Sequence, residues 1–213
     1  MHNYIYIHVC CINNWSDVFS SLLYKIKDSG LYENITEIRC GILGDEDNIE
    51  LFKNLFNDSK IIILYTSNNL NLYETCTINA IYEQSNVEEE EFNVLYIHTK
   101  GVRHNNTNPC VIDWINYLCY FNIYQFKQCI DLLEQHDCVG VNLQKEPVYH
   151  YSGNFWWSKS EYIKKLNKCI YTSYNAPEFW LAETNIGKYI SLHNSNINHY
   201  NERYSEDKYI NKK

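Results

Sequence analysis

The residues best suited to chemistry sit together at positions 98–103. His98-Thr99-Lys100-Gly101 follows an apolar run that begins at Phe92, and Arg103 adds a second cation nearby. The end of a strand delivers side chains and backbone N–H groups into the crevice above a sheet. There Lys100 offers a mobile ammonium, and Gly101 lets the backbone approach a ligand closely. The chain carries 18 Lys and Arg against 26 Asp and Glu, a net charge of −8. In so acidic a chain, a cationic cluster at a strand end points to phosphate. The plain alternative is a polar loop with a structural histidine. A short echo sharpens the interest, because Tyr6-Ile7-His8 recurs as Tyr96-Ile97-His98.

The elements that must position these residues follow from periodicity. Asn3–Cys11 reads as a strand, and Trp15–Lys27 has apolar residues at helical spacing, closed by Gly30. Ile35–Leu43 is a second strand, followed by a short helix over Ile49–Phe56. Lys60–Tyr65 is a third strand whose Ile-Ile-Ile-Leu run predicts burial on both faces. Leu72–Gln84 reads as a helix and Phe92–His98 as a fourth strand. A long helix is expected from Val111 to Gln135, started by Asn108 and Pro109. Strands at Cys138–Leu143 and Tyr149–Trp157 come next, then helices at Ser160–Asn167 and Pro177–Tyr189, then a polar tail. Alternating strands and helices imply an α/β fold, with a mostly parallel central sheet covered by helices on both faces. In such a sheet the first and fourth strands flank the switch point, where ligands bind.

Length and composition narrow the field. With 213 residues, one domain is expected. The acidic balance argues against a nucleic-acid partner, which needs excess cationic charge. No run of about 18 apolar residues occurs, so membrane insertion is not expected, and no leader is apparent. Nine cysteines, an odd number with no C-x-x-C pair, read as reduced core residues of a cytoplasmic protein. They are too dispersed for a zinc site. Glu88-Glu89-Glu90-Glu91 reads as a solvated loop.

Several motifs together carry a resemblance. Val94-Leu95-Tyr96-Ile97-His98-Thr99-Lys100-Gly101, His150-Tyr151-Ser152-Gly153-Asn154-Phe155-Trp156-Trp157, Pro177-Glu178-Phe179-Trp180 and His193–Tyr200 resemble a family of small GT-A-type glycosyltransferase-like proteins of bacteria and large DNA viruses. A looser similarity extends to rhamnan-synthesis transferases. The resemblance implies one GT-A-like, Rossmann-like domain over 1–213. Residues 1–101 would form its nucleotide-binding half, 102–190 its acceptor and sugar half, and 191–213 a polar tail able to act as a lid. It implies a nucleotide-diphosphate sugar donor, a glycan or other hydroxyl acceptor, and host cytoplasm as the location of a viral member. The alternative is a non-catalytic nucleotide- or glycan-binding module of the same fold.

One departure shapes the expected mechanism. Many GT-A enzymes place an Asp-x-Asp metal motif where this chain has His98-Thr99-Lys100. A lysine can neutralise the departing diphosphate directly, so transfer is expected to require no metal, with Mn²⁺ or Mg²⁺ as the alternative, and inversion is expected because a candidate base is present and no placed nucleophile is evident. Lys100 is thus a catalytic candidate. Cys10, Asn13, Asp45, Glu74, His98, Thr99 and Gly101 are candidates for the nucleotide and its diphosphate, as are His199 and Tyr200 in the tail. Asp45, within Asp45-Glu46-Asp47, has the competing reading of a helix cap. Ser152, Gly153 and Asn154 would hold sugar hydroxyls, together with Trp180. Glu178 is the candidate base, with Glu183 second, although acids favour helix starts in any case. Asp113 shares that ambiguity.

Overall fold

The computed structural model describes residues 1–210; positions 211–213 of the expected tail lie outside the described residues. Four strands rich in β-branched and aromatic residues form the parallel half of one sheet: β1 (His2–Cys10), β2 (Glu37–Leu43), β3 (Ile61–Ser67) and β4 (Phe92–His98). The second half comes from β5 (Cys138–Gly140), β8 (Trp156–Lys159) and β9 (Tyr189–Ser191). A separate ribbon pairs β6 (Leu143–Gln144) with β7 (His150–Tyr151). The seven-stranded order is β3-β2-β1-β4-β8-β5-β9, with β8 antiparallel to both neighbours. This is the expected α/β architecture with a mostly parallel sheet.

Helices cover both faces. Against one lie α1 (Trp15–Asp28), α2 (Glu46–Leu55), α4 (Pro109–Cys119) and α5 (Phe126–Leu133), burying Ile5, Ile7, Leu95, Ile97 and Trp157. Against the other lie α3 (Thr75–Val87), α6 (Ser160–Ile163) and α7 (Ala176–Phe179), burying Tyr4, Tyr6, Val94, Tyr96 and Trp156. Adjacent residues of a strand face opposite sides, so Trp156 and Trp157 serve different layers.

Several expectations need correction, among them the strand Cys138–Leu143, which ends at Gly140 with Leu143 in the separate ribbon, and the helix Ser160–Asn167, which ends at Ile163. β3 is not buried on both faces: it is the sheet edge, its burial alternates, and Ile62 and Leu64 are 39% and 36% exposed. The helix that follows it packs over β1 and β2 instead. The long helix has the expected Asn108 cap, whose side chain accepts from Cys110 N–H, but a π-helical turn at Tyr120–Tyr124 interrupts it. Buried Asn122, in that turn, accepts the Trp157 indole N–H at its carbonyl, 2.8 Å away. The expected strand Tyr149–Trp157 is two strands, β7 and β8, because Gly153 and Asn154 turn the chain at φ 98° and 56°. The helix expected over Pro177–Tyr189 ends at Phe179.

The tail is not a free polar segment. Tyr204 and Tyr209 are buried and ring the Tyr117 side chain of α4 at 5.4 and 5.2 Å between centroids. Arg203 grips buried Asp113 through both carboxylate oxygens, and Tyr204 N–H donates to the same group. Asp113 is therefore a clasp between α4 and the tail.

Candidate functional site

The carboxyl ends of β1 and β4 open into a cavity of about 210 Å³. The two strands run in register, so Tyr6, Ile7 and His8 stand opposite Tyr96, Ile97 and His98. The sequence echo is thus a spatial one, and both histidines line the cavity. The strand ends are laced together: Thr99 N–H donates to the His8 carbonyl (3.0 Å), and Cys10 N–H donates to Thr99 Oγ1 (3.0 Å). Gly101 then turns the chain at φ 88°, where any Cβ would collide with Asn106.

Lys100 leaves this turn along the cavity wall. Its ammonium lies 3.8 Å from the ring centroid of Trp114 in α4. Among the described residues no carboxylate comes within ion-pair distance of it and nothing accepts a hydrogen bond from it. Burial lowers its pKa, and the fields of Glu178 and Glu74 oppose the shift. A desolvated cation held by an aromatic face, with no anion of its own, is suited to receiving one.

Around it the charge is sparse. His98 Nε2–H donates to the Gly153 carbonyl at 3.2 Å, and burial lowers the ring's pKa to about 3, so it is neutral. Buried His8 shares a 2.9 Å hydrogen bond with Thr77 Oγ1 and has its pKa pushed down to about 4, again by burial. Among the described residues Glu74 is the one carboxylate on the lining. Its Oε2 accepts from Tyr96 OH (2.7 Å) and Asn154 Nδ2 (2.6 Å). Tyr73, just before it, holds φ 46° and ψ −150°, a costly conformation for a side chain of that size. Arg103, Tyr174 and Tyr200 complete the rim, the two tyrosines each 60% exposed.

The structure therefore gathers Cys10, Glu74, His98, Thr99, Lys100, Gly101 and Tyr200 of the expected residues on one cavity. The others stand elsewhere. Asn13 bridges to the Val102 carbonyl (2.7 Å), and Asp45 caps α2 by accepting from Asn48 N–H (2.8 Å). Asn154 is buried, with both ends of its amide committed, to Glu74 and to Trp156 Nε1–H. Ser152 donates its N–H to the Asn142 carbonyl, and Gly153 packs on Trp114 and Leu118. Trp180 is core, its indole N–H bonded to the Asn167 carbonyl. Glu178 lies just behind the wall, where Oε1 accepts from Gly153 N–H at 2.6 Å. Glu183 is exposed and off the lining.

His199 is buried against Trp114, the rings nearly parallel at 5.2 Å. Its Nε2 meets Asn142 Nδ2 (3.0 Å) and Ser195 Oγ (2.8 Å), and burial lowers its pKa to about 4. The reading of the sequence missed Trp114 and Asn142, which set this wall. Asn142 holds φ 51° and accepts from Ser195 N–H and Tyr117 OH. An Asn interrupting the apolar run of an expected strand was the available signal for it.

A mostly parallel sheet with its cavity at the switch point defines a Rossmann-like α/β domain. Within that class the chain belongs to the family described as Domain of unknown function (DUF8361), matched over residues 31–207. None of the curated proteins compared with it matches. Among solved structures it is similar to 4-diphosphocytidyl-2C-methyl-D-erythritol synthase from Anaerococcus prevotii: 13% identity over 97% of this chain and 94% of that one, TM-score 0.53. HddC from Yersinia pseudotuberculosis gives 13% identity over 91% of each chain, TM-score 0.47. At 13% identity the synthase likeness is one of fold.

Proposed function

We propose that this protein is a nucleotide-dependent transferase that moves a sugar from a nucleoside diphosphate to a hydroxyl of a glycan or similar acceptor. The observation that carries the reading is the anion-free ammonium of Lys100 on the wall of the switch-point cavity. There it meets the diphosphate and stabilises the charge that develops as the sugar leaves. This is the task a divalent metal performs in many related folds, so transfer proceeds without one. The fold shared with the Anaerococcus synthase supports a nucleotide as the ligand. A metal-dependent nucleotidyl transfer finds less support, because the paired ends of adjacent β1 and β4 carry histidines rather than carboxylates.

The test is calorimetric titration with nucleoside diphosphates and free sugars, with and without Mn²⁺. A panel of nucleoside diphosphate sugars, assayed for released nucleotide, follows it. Metal-free nucleotide binding with turnover is expected. Binding of glycans alone, with no nucleotide, would replace the enzyme by a recognition module.

A further inference from the structure

The cavity wall contains a pair of atoms with lone pairs and no proton between them. His98 donates from Nε2 to the Gly153 carbonyl, which can only accept. In a neutral ring this leaves Nδ1 bare. Glu74 Oε1 faces that Nδ1 at 3.9 Å. Glu74 Oε2 is already saturated by Tyr96 and Asn154, whereas Oε1 makes no hydrogen bond among the described residues. Two acceptors placed face to face on a cavity wall fit a water between them, and a hydroxyl, with one proton, satisfies one of the two. The surrounding structure is built to hold this geometry. Trp156 Nε1–H fixes the oxygen end of the Asn154 amide, which forces its NH₂ toward Glu74. Asn154 itself occupies a left-handed conformation at φ 56°, and Tyr73 holds the helix start under backbone strain.

We propose that Glu74, rather than Glu178, is the proton acceptor of this site. The inference rests on the transferase reading above. The attacking hydroxyl donates its single proton to Glu74 Oε1, whereas a water there reaches His98 Nδ1 with its second proton. The hydroxyl's oxygen lone pair forms the bond to the anomeric carbon while its proton passes to Glu74 Oε1. The bond from the anomeric carbon to the diphosphate breaks, and the electron pair leaves with the phosphate oxygen beside Lys100. Glu178 lies off the cavity lining, and its carboxylate holds Gly153 N–H. Water takes the same place when no acceptor is present, so donor hydrolysis reports on the same group.

The experiment measures nucleotide release from the panel of nucleoside diphosphate sugars, together with nucleoside diphosphate affinity by calorimetry. Glu74→Gln keeps the hydrogen bonds to Tyr96 or Asn154 in part and has no base. It is expected to bind the nucleotide within about threefold of wild type and to lose at least about 100-fold in turnover. Glu74→Asp, which restores a carboxylate, is expected to recover part of the rate. Turnover retained in Glu74→Gln, or a loss confined to Glu178→Gln, overturns the assignment and leaves the transferase reading standing. Wild-type protein that releases nucleotide from no donor overturns both.

Discussion

His8 and His98 stand side by side, in register, at the carboxyl ends of neighbouring parallel strands, and both are neutral. Two adjacent imidazoliums beside Lys100 would repel it and each other. Burial excludes that state, and the cost appears as pH-dependent stability. Each ring has a folded pKa below its unfolded value of about 6.5, and His199 behaves likewise. Between those values the unfolded chain binds more protons than the folded one, so stability is full above about pH 6.5 and is lost as pH falls toward 4. Unfolding free energies from urea titrations at pH 7.5 to 4.5 should decline through this window by about 2 kcal/mol or more. The decline should be shallower in His8→Asn.

Lys100→Met tests the anion site. Methionine keeps the packing against Trp114 and removes the charge. Nucleoside diphosphate affinity should fall by about 10- to 100-fold, the worth of one charge-assisted hydrogen bond, with little change in Tm. Because burial lowers the Lys100 pKa, wild-type affinity should also weaken as pH rises into the alkaline range, and the variant should show no such limb. Calorimetry across pH distinguishes the two.

Gly153→Ala should disturb the fold and the site together. A Cβ there would sit 2.8 Å from Leu118 Cδ1 and 3.1 Å from Trp114, at a φ of 98° that alanine resists. A loss of about 2–3 kcal/mol is expected, read as a drop in Tm of roughly 5–10 °C.

Asp113→Ala releases Arg203 and the Tyr204 N–H from α4. Trp114 is the next residue, so the wall behind Lys100 should loosen as well. Thermal denaturation should show a Tm lowered by roughly 5 °C, and nucleotide binding should weaken even though Asp113 is off the cavity lining.

Chelation tests the metal-free mechanism. Excess EDTA should leave nucleotide affinity and donor turnover unchanged. Complete loss in EDTA, restored by Mn²⁺, would show that Lys100 does not suffice.

The parallel half of the sheet was legible because each strand is a continuous apolar run bounded by an amphipathic helix. His98, Lys100 and Gly101 could be placed because they follow directly from such a strand. What the sequence hid is long-range. Nothing local marks β3 as an edge, since the helix after it could equally have covered its outer face. The aromatics at 204 and 209 lie in a polar stretch and show no periodicity, yet they close on Tyr117, some 90 positions earlier. Asn154 and Glu178 have the composition of sugar-binding and basic groups. Which hydrogen bonds they would spend on the protein itself, on Glu74 and Gly153, depended on a turn geometry that periodicity does not reveal.

The clasp between Arg203 and Asp113 also carries a temporal consequence. The wall bearing Trp114 is finished by residues near position 200, whereas the strands beneath it end by residue 98. On a growing chain the sheet's first four strands can pair long before that wall has its backing. The wall behind the lysine therefore lacks its backing until the chain has reached about residue 200, long after Lys100 and Trp114 have emerged.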